Sequence, residues 1–116
     1  MTFTMTDQRF DELVGEALDL LPPRLSEAMD NVVILVEDRN ADEPSLLGLY
    51  HGIALTSRTS DYGFALPDRI FIYRRAILDV CETEDDVIDE VAITVVHEIA
   101  HHFGIDDATL HDLGWG

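Results

Sequence analysis

The sequence predicts a mixed α+β fold in a single domain over residues 1–116. Three observations lead there. Apolar residues recur at helical spacing in two well-separated stretches, β-branched runs lie between them, and 116 residues suffice for one core but not two.

From Asp7 to Leu21, Phe10, Leu13, Val14, Ala17, Leu18 and Leu21 follow the i, i+3, i+4, i+7 spacing of one helical face, with Asp11, Glu12, Glu16 and Asp19 on the other. Pro22-Pro23 ends this helix, because Pro22 biases Leu21 out of the α region and neither proline donates a backbone hydrogen bond. A short helix is expected from Arg24 to Met29, with Pro23 near its first turn. Val32 to Val36 is an unbroken apolar run and reads as a strand buried on both faces. Asp38 to Ser45 is acidic, contains Pro44 and reads as a loop. Leu46 to Leu55 is ambiguous: Gly48 and Gly52 break any helix, and Leu49-Tyr50-His51 suits a short strand. Thr56 to Asp68 is polar and turn-rich, and Arg69 to Arg74 reads as a second strand with Ile70 and Ile72 on one face.

The clearest element follows. Thr83-Glu84-Asp85-Asp86 has the form of a capping box, with Asp in place of the stronger Glu at its last position. After it Val87, Ile88, Val91, Ala92, Val95, Ile99 and Phe103 recur at helical spacing, widened by Val96 and Ala100. A helix apolar on most faces belongs in the centre of a fold. Gly104 stands where a left-handed residue closes such a helix, and Asp106 to Leu113 suit one or two further turns.

Apolar residues at 47% and charged residues at 27% are ordinary for a globular protein. The charge is lopsided: 7 Lys+Arg against 24 Asp+Glu give −17. A field of that sign repels phosphate backbones, so no nucleic-acid partner is expected, while cationic partners and divalent metal ions are favoured. The single cysteine, Cys81, excludes an intramolecular disulfide and a thiolate zinc cluster, and reads as an inert, half-buried residue. Residues 1–7 have neither a basic region nor an apolar core, and no stretch approaches the ~20 apolar residues of a membrane span. The expectation is a cytoplasmic protein with no membrane partner.

The predicted chemistry lies near the end of the long helix, in His97-Glu98-Ile99-Ala100-His101. Two histidines at i and i+4 share a face, with Cβ atoms about 5–6 Å apart. Both imidazoles can then meet one Zn²⁺ at roughly 2.0–2.1 Å. Glu98 lies beside them, placed to act as general base toward a metal-activated water. Polar side chains within so apolar a helix are costly unless paired, which argues against chance.

The motif extends to His97-Glu98-x-x-His101-x-x-Gly104-x-x-Asp107. This resembles the extended HExxHxxGxxH/D signature of metzincin-like peptidases, in its Asp form the snapalysin type. With the short chain and the ending His111-Asp112-Leu113-Gly114-Trp115, it is similar to the small bacterial minimal zincin family over most of its length. The resemblance implies a zincin-like fold: a small mixed sheet packed against a backing helix and a central active-site helix, with zinc in the cleft between sheet and helix. It implies one Zn²⁺ per chain held by His97, His101 and Asp107, with Glu98 as base, and peptide or unfolded protein as substrate. Two departures stand out. Met1, Met5 and Met29 all precede the helix, so no methionine turn lies beneath the metal, and the lower subdomain of larger peptidases is missing.

His111, four residues after Asp107, and Asp106, a natural helix cap, remain alternatives for the third ligand. His102 turns away from the pair and suits a surface or packing role, while His51, Tyr50, Tyr62 and Tyr73 are possible oxyanion donors with nothing to choose among them. Two other functions stay open. One is a non-catalytic zinc-binding interaction module. The other is a metal-dependent endoribonuclease of HxxxHxxGxDH pattern, which His97, His101, Gly104 and Asp106 match but Asp107, Glu98 and the −17 charge oppose.

Overall fold

The computed structural model describes residues 4–28, 32–52 and 68–102, together with Ala108 and Asp112. Helix α1 spans Asp7–Asp19. Thr6 caps it, its hydroxyl accepting the Arg9 N–H at 3.1 Å. The helix closes two residues before the predicted end, because the chain must clear the proline pair: Leu20 and Leu21 still donate to Ala17 and Leu18 as tighter turns. Helix α2, Pro23–Ala28, begins on the second proline, whose fixed φ suits a first helical position.

Strand β1 covers Val32–Glu37, β2 Gly48–His51 and β3 Asp68–Tyr73. Their order in the sheet is β1-β3-β2. β3 pairs in parallel with β1, Val32 opposite Asp68, and antiparallel with β2, Tyr50 opposite Ile70. Helix α3, Arg74–Asp79, follows β3 with no intervening residue, and α4 spans Glu84–His102. Arg74 therefore opens a helix rather than closing the strand. Its guanidinium lies 2.7 Å from Asp38 and 3.2 Å from Asp7, tying α1 to the turn after β1.

One face of the sheet receives α1 and α4, and there the core forms. Phe10, Leu13 and Ala17 of α1, Ile70 and Ile72 of β3, and Val87, Val91, Val95 and Ile99 of α4 are fully buried together. The expectation that β1 is buried on both faces is corrected. Val32, Ile34 and Val36 pack on the core, but Val33 and Leu35 remain 38% and 39% exposed. Among the described strands β3 is the middle one and β1 lies at an edge, with its second face on the side of the sheet away from α1 and α4. Leu35, Phe71 and Leu49 line up across that open side.

Helix α4 begins with the predicted box. The Thr83 hydroxyl accepts the Asp86 N–H at 3.1 Å, and the Asp86 carboxylate accepts from Glu82 and Thr83 N–H at 3.0 and 3.2 Å. The shorter Asp thus satisfies two donors where Glu usually satisfies one. No helix among the described residues is long and apolar enough to cross a membrane.

Candidate metal and catalytic site

The same burial that centres α4 sets its last turns against the sheet edge. Val95, Val96, Ile99 and Ala100 are buried, which leaves His97 and Glu98 on the flank facing β2, with His101 one turn on from His97. His97 and Glu98 are half-buried and His101 is exposed. The two imidazole centroids lie 6.4 Å apart with their planes 68° apart, so a modest rotation of the rings toward each other would let one nitrogen of each meet a single ion. Two imidazole nitrogen donors one turn apart, beside a carboxylate, are a donor set suited to zinc. Among the described residues no group of three His, Cys, Asp or Glu gathers around one point. The expected third ligand Asp107, its alternatives Asp106 and His111, and Gly104 lie outside the described residues, as does Tyr62.

Burial pushes the Glu98 carboxyl above its ordinary value; His101, the backbone N–H of Tyr50 and His97 act in the other direction without cancelling it. Desolvation raises its basicity as a carboxylate, which suits a proton acceptor. The Tyr50 N–H faces that carboxylate from strand β2, across the cleft.

Tyr50 is held in turn by its side chain. Its hydroxyl donates to the Asp68 carboxylate at 2.7 Å, and its ring stacks on His102 at 4.1 Å with the planes 15° apart. His102 Nε2 lies 3.7 Å from the same Asp68 oxygen. Gly52 closes the cluster, since a Cβ there would meet His102 Cε1 at 3.0 Å and Tyr50 Cε1 at 3.2 Å. His102 therefore packs, as its offset from His101 suggests. The Tyr50 hydroxyl is engaged by Asp68, and the Tyr73 hydroxyl accepts from Asn40 Nδ2 at 2.9 Å. His51 lies exposed on β2 opposite Arg69. Sequence reading misses the cluster because its members are 18 and 34 residues apart (68 − 50 and 102 − 68) and each is ordinary alone. The usable signal is a third histidine directly after an HExxH pair, in a helix otherwise apolar.

The approach of β2 to α4 depends on Gly48. A Cβ there would stand 2.5 Å from Thr94 Cγ2 and 3.0 Å from the Phe71 carbonyl oxygen. Between Gly48 and the loop before it on one side and α4 on the other runs a groove of about 500 Å³ that ends at His97 and Glu98.

A family model described as zincin-like metallopeptidase matches residues 29–115. A solved structure of a conserved hypothetical protein from Thermo thermophilus is similar at 25% identity with a TM-score of 0.55, covering 85% of this chain and 94% of that one. A comparison with curated proteins finds no match.

Proposed function

Because the chain belongs to the zincin-like metallopeptidase family, we propose that it is a zinc-dependent hydrolase of peptide bonds. His97, His101 and a carboxylate after α4, Asp107 first among them, hold one ion per chain. The observation that supports this most directly is Glu98: a desolvated carboxyl on the same helical turn as two imidazoles, facing a backbone N–H of strand β2. Zinc bound there would supply a Lewis acid, lowering the pKa of a water and polarising a peptide carbonyl.

The rest of the reaction falls to the chain. Glu98 takes the proton of the attacking water at its carboxylate and delivers it to the nitrogen of the leaving amine. The Tyr50 N–H faces that carboxylate across the cleft, and Asp68 and His102 keep Tyr50 in place. Among the described strands β2 stands at the edge of the sheet, beside α4, so an extended peptide laid along it brings its carbonyl to the histidines. A folded substrate cannot offer such a strand, which makes unfolded segments the expected substrates.

The test is Glu98→Gln, nearly isosteric but unable to accept the proton. It should retain zinc by elemental analysis and lose peptide cleavage by about 10²–10⁴-fold. Cleavage that is sensitive to chelators yet survives in Glu98→Gln sinks the mechanism. Zinc-loaded wild type that cleaves no peptide marks a non-catalytic zinc-binding module instead.

A further inference from the structure

Resting on the peptide-hydrolase reading, we propose that the groove beside Glu98 selects a basic side chain, lysine or arginine, in the bound peptide. Its volume of about 500 Å³ lies within the roughly 300–1,000 Å³ of ligand pockets. Leu46, Leu47, Ile93 and Thr94 give it a largely apolar lining, while Glu43 and Glu90 add a carboxylate from each wall, one from the loop before β2 and one from α4. A long aliphatic stem with a cationic tip matches that combination.

Among the described residues, four arginines have carboxylate partners away from the groove, Arg75 with Asp38 being one. Arg9 pairs with Glu12 and Glu84, Arg39 with Asp79, and Arg74 with Asp7 and Asp38. Among the described residues no such partner reaches Glu43 or Glu90, and both stand in the groove beside an apolar surface. The wall carrying Glu43 is built in advance. Asn40 Oδ1 accepts the Asp42 and Glu43 N–H groups at 2.9 and 2.8 Å, the Leu46 N–H returns to the Glu43 carbonyl at 3.0 Å, and Arg39 donates to the Pro44 carbonyl at 3.1 Å. A charge on preordered backbone binds without first paying to order a loop. An acidic side chain in the same place meets two like charges.

Binding is measured separately from chemistry, by fluorescence anisotropy of labelled extended peptides on zinc-loaded Glu98→Gln protein. The peptides differ at one position scanned with Lys, Arg, Leu or Glu. The basic peptides should bind about 5-fold tighter than the Leu peptide, less so as salt rises, with the Glu peptide weakest. Glu43→Gln/Glu90→Gln should erase the preference. Glu16→Gln/Asp19→Asn makes the same change in net charge on the outer surface of α1 and should leave it intact. Equal binding of basic and Leu peptides overturns the proposal, as does equal loss in both double variants, which would mean general attraction to an acidic protein. The two readings fail separately. Basic preference in binding without cleavage by wild type removes the hydrolase and keeps the groove; cleavage without preference removes the groove and keeps the hydrolase.

Discussion

Replacing Gly48 with alanine tests the packing that brings the sheet edge to the site helix. The new Cβ would lie 2.5 Å from Thr94 Cγ2, about 1 Å inside ordinary contact. It cannot retreat the other way, because the Phe71 carbonyl oxygen stands at 3.0 Å on the strand paired with β2. Thr94 is buried and β-branched on a helix, so its rotamers are few. Overpacking of this kind costs about 1–3 kcal/mol. Removing a glycine from a strand returns about 0.5–1 kcal/mol. The net expectation is a loss of about 1–2 kcal/mol, or about 4–8 °C in Tm for a chain of this size. Urea and thermal unfolding of Gly48→Ala, Thr94→Ser and the double variant form the assay. Thr94→Ser deletes the clashing methyl, so the double variant should be more stable than the two singles predict, with a coupling of about 1 kcal/mol. Gly48→Ala as stable as wild type, or strict additivity, refutes the argument.

Three further outcomes are expected. Asp107→Ala should weaken zinc retention in a chelator competition, whereas Asp106→Ala should keep the metal and cost about 1 kcal/mol as a lost helix cap; the reverse result puts the ligands one residue out of register. Arg9 grips Glu84 through two hydrogen bonds of 2.8 and 3.0 Å and holds its carboxyl below the usual 4.5. A lowered folded pKa contributes stability above the unfolded value and loses it as pH falls through the folded one. The Tm gap between wild type and Glu84→Gln should thus be open at about pH 7 and narrow as pH falls below the usual 4.5; a gap that does not change on acidification excludes the pair as its source. Burial first, then Glu90 and Asp86, push the Cys81 thiol up to about 11. Native protein should resist alkylation at about pH 8 and react once unfolded, and rapid native labelling would contradict its burial.

Legibility from sequence follows how local each cause is. Helix α4 is readable because its signals lie within a turn of each other: Thr83 with Asp86 at the start, then apolar residues at constant spacing. Strand β3 is readable from the alternation of Ile70 and Ile72. For β1 the sequence offers only an apolar run, and whether Val33 and Leu35 face a second layer depends on which elements exist to cover them. The short α3 escapes sequence reading because Arg74 and Arg75 extend the strand pattern and Tyr73 offers no side-chain cap. His97, Glu98 and His101 are legible as a candidate site because four residues of helix decide their relation. Asp68 and the groove pair Glu43 and Glu90 are not, since only the tertiary fold brings them together.

The strand order carries a consequence for how this protein is made. The middle strand is the last of the three to be synthesised, so β1 and β2 have no ladder to join until Asp68–Tyr73 exists, 36 residues after Val32 (68 − 32). Phe10, Leu13 and Ala17 wait longer, for the partner side chains of α4. Pairings this distant make for slow closure, because loop entropy is lost before any contact is gained. While the ribosome works, Val32 to Val36 travels as a bare apolar segment with a free edge on either side, the kind of stretch that seeds intermolecular sheets. Folding here waits for the helix that completes the core, and its hazard lies in the interval before that helix emerges.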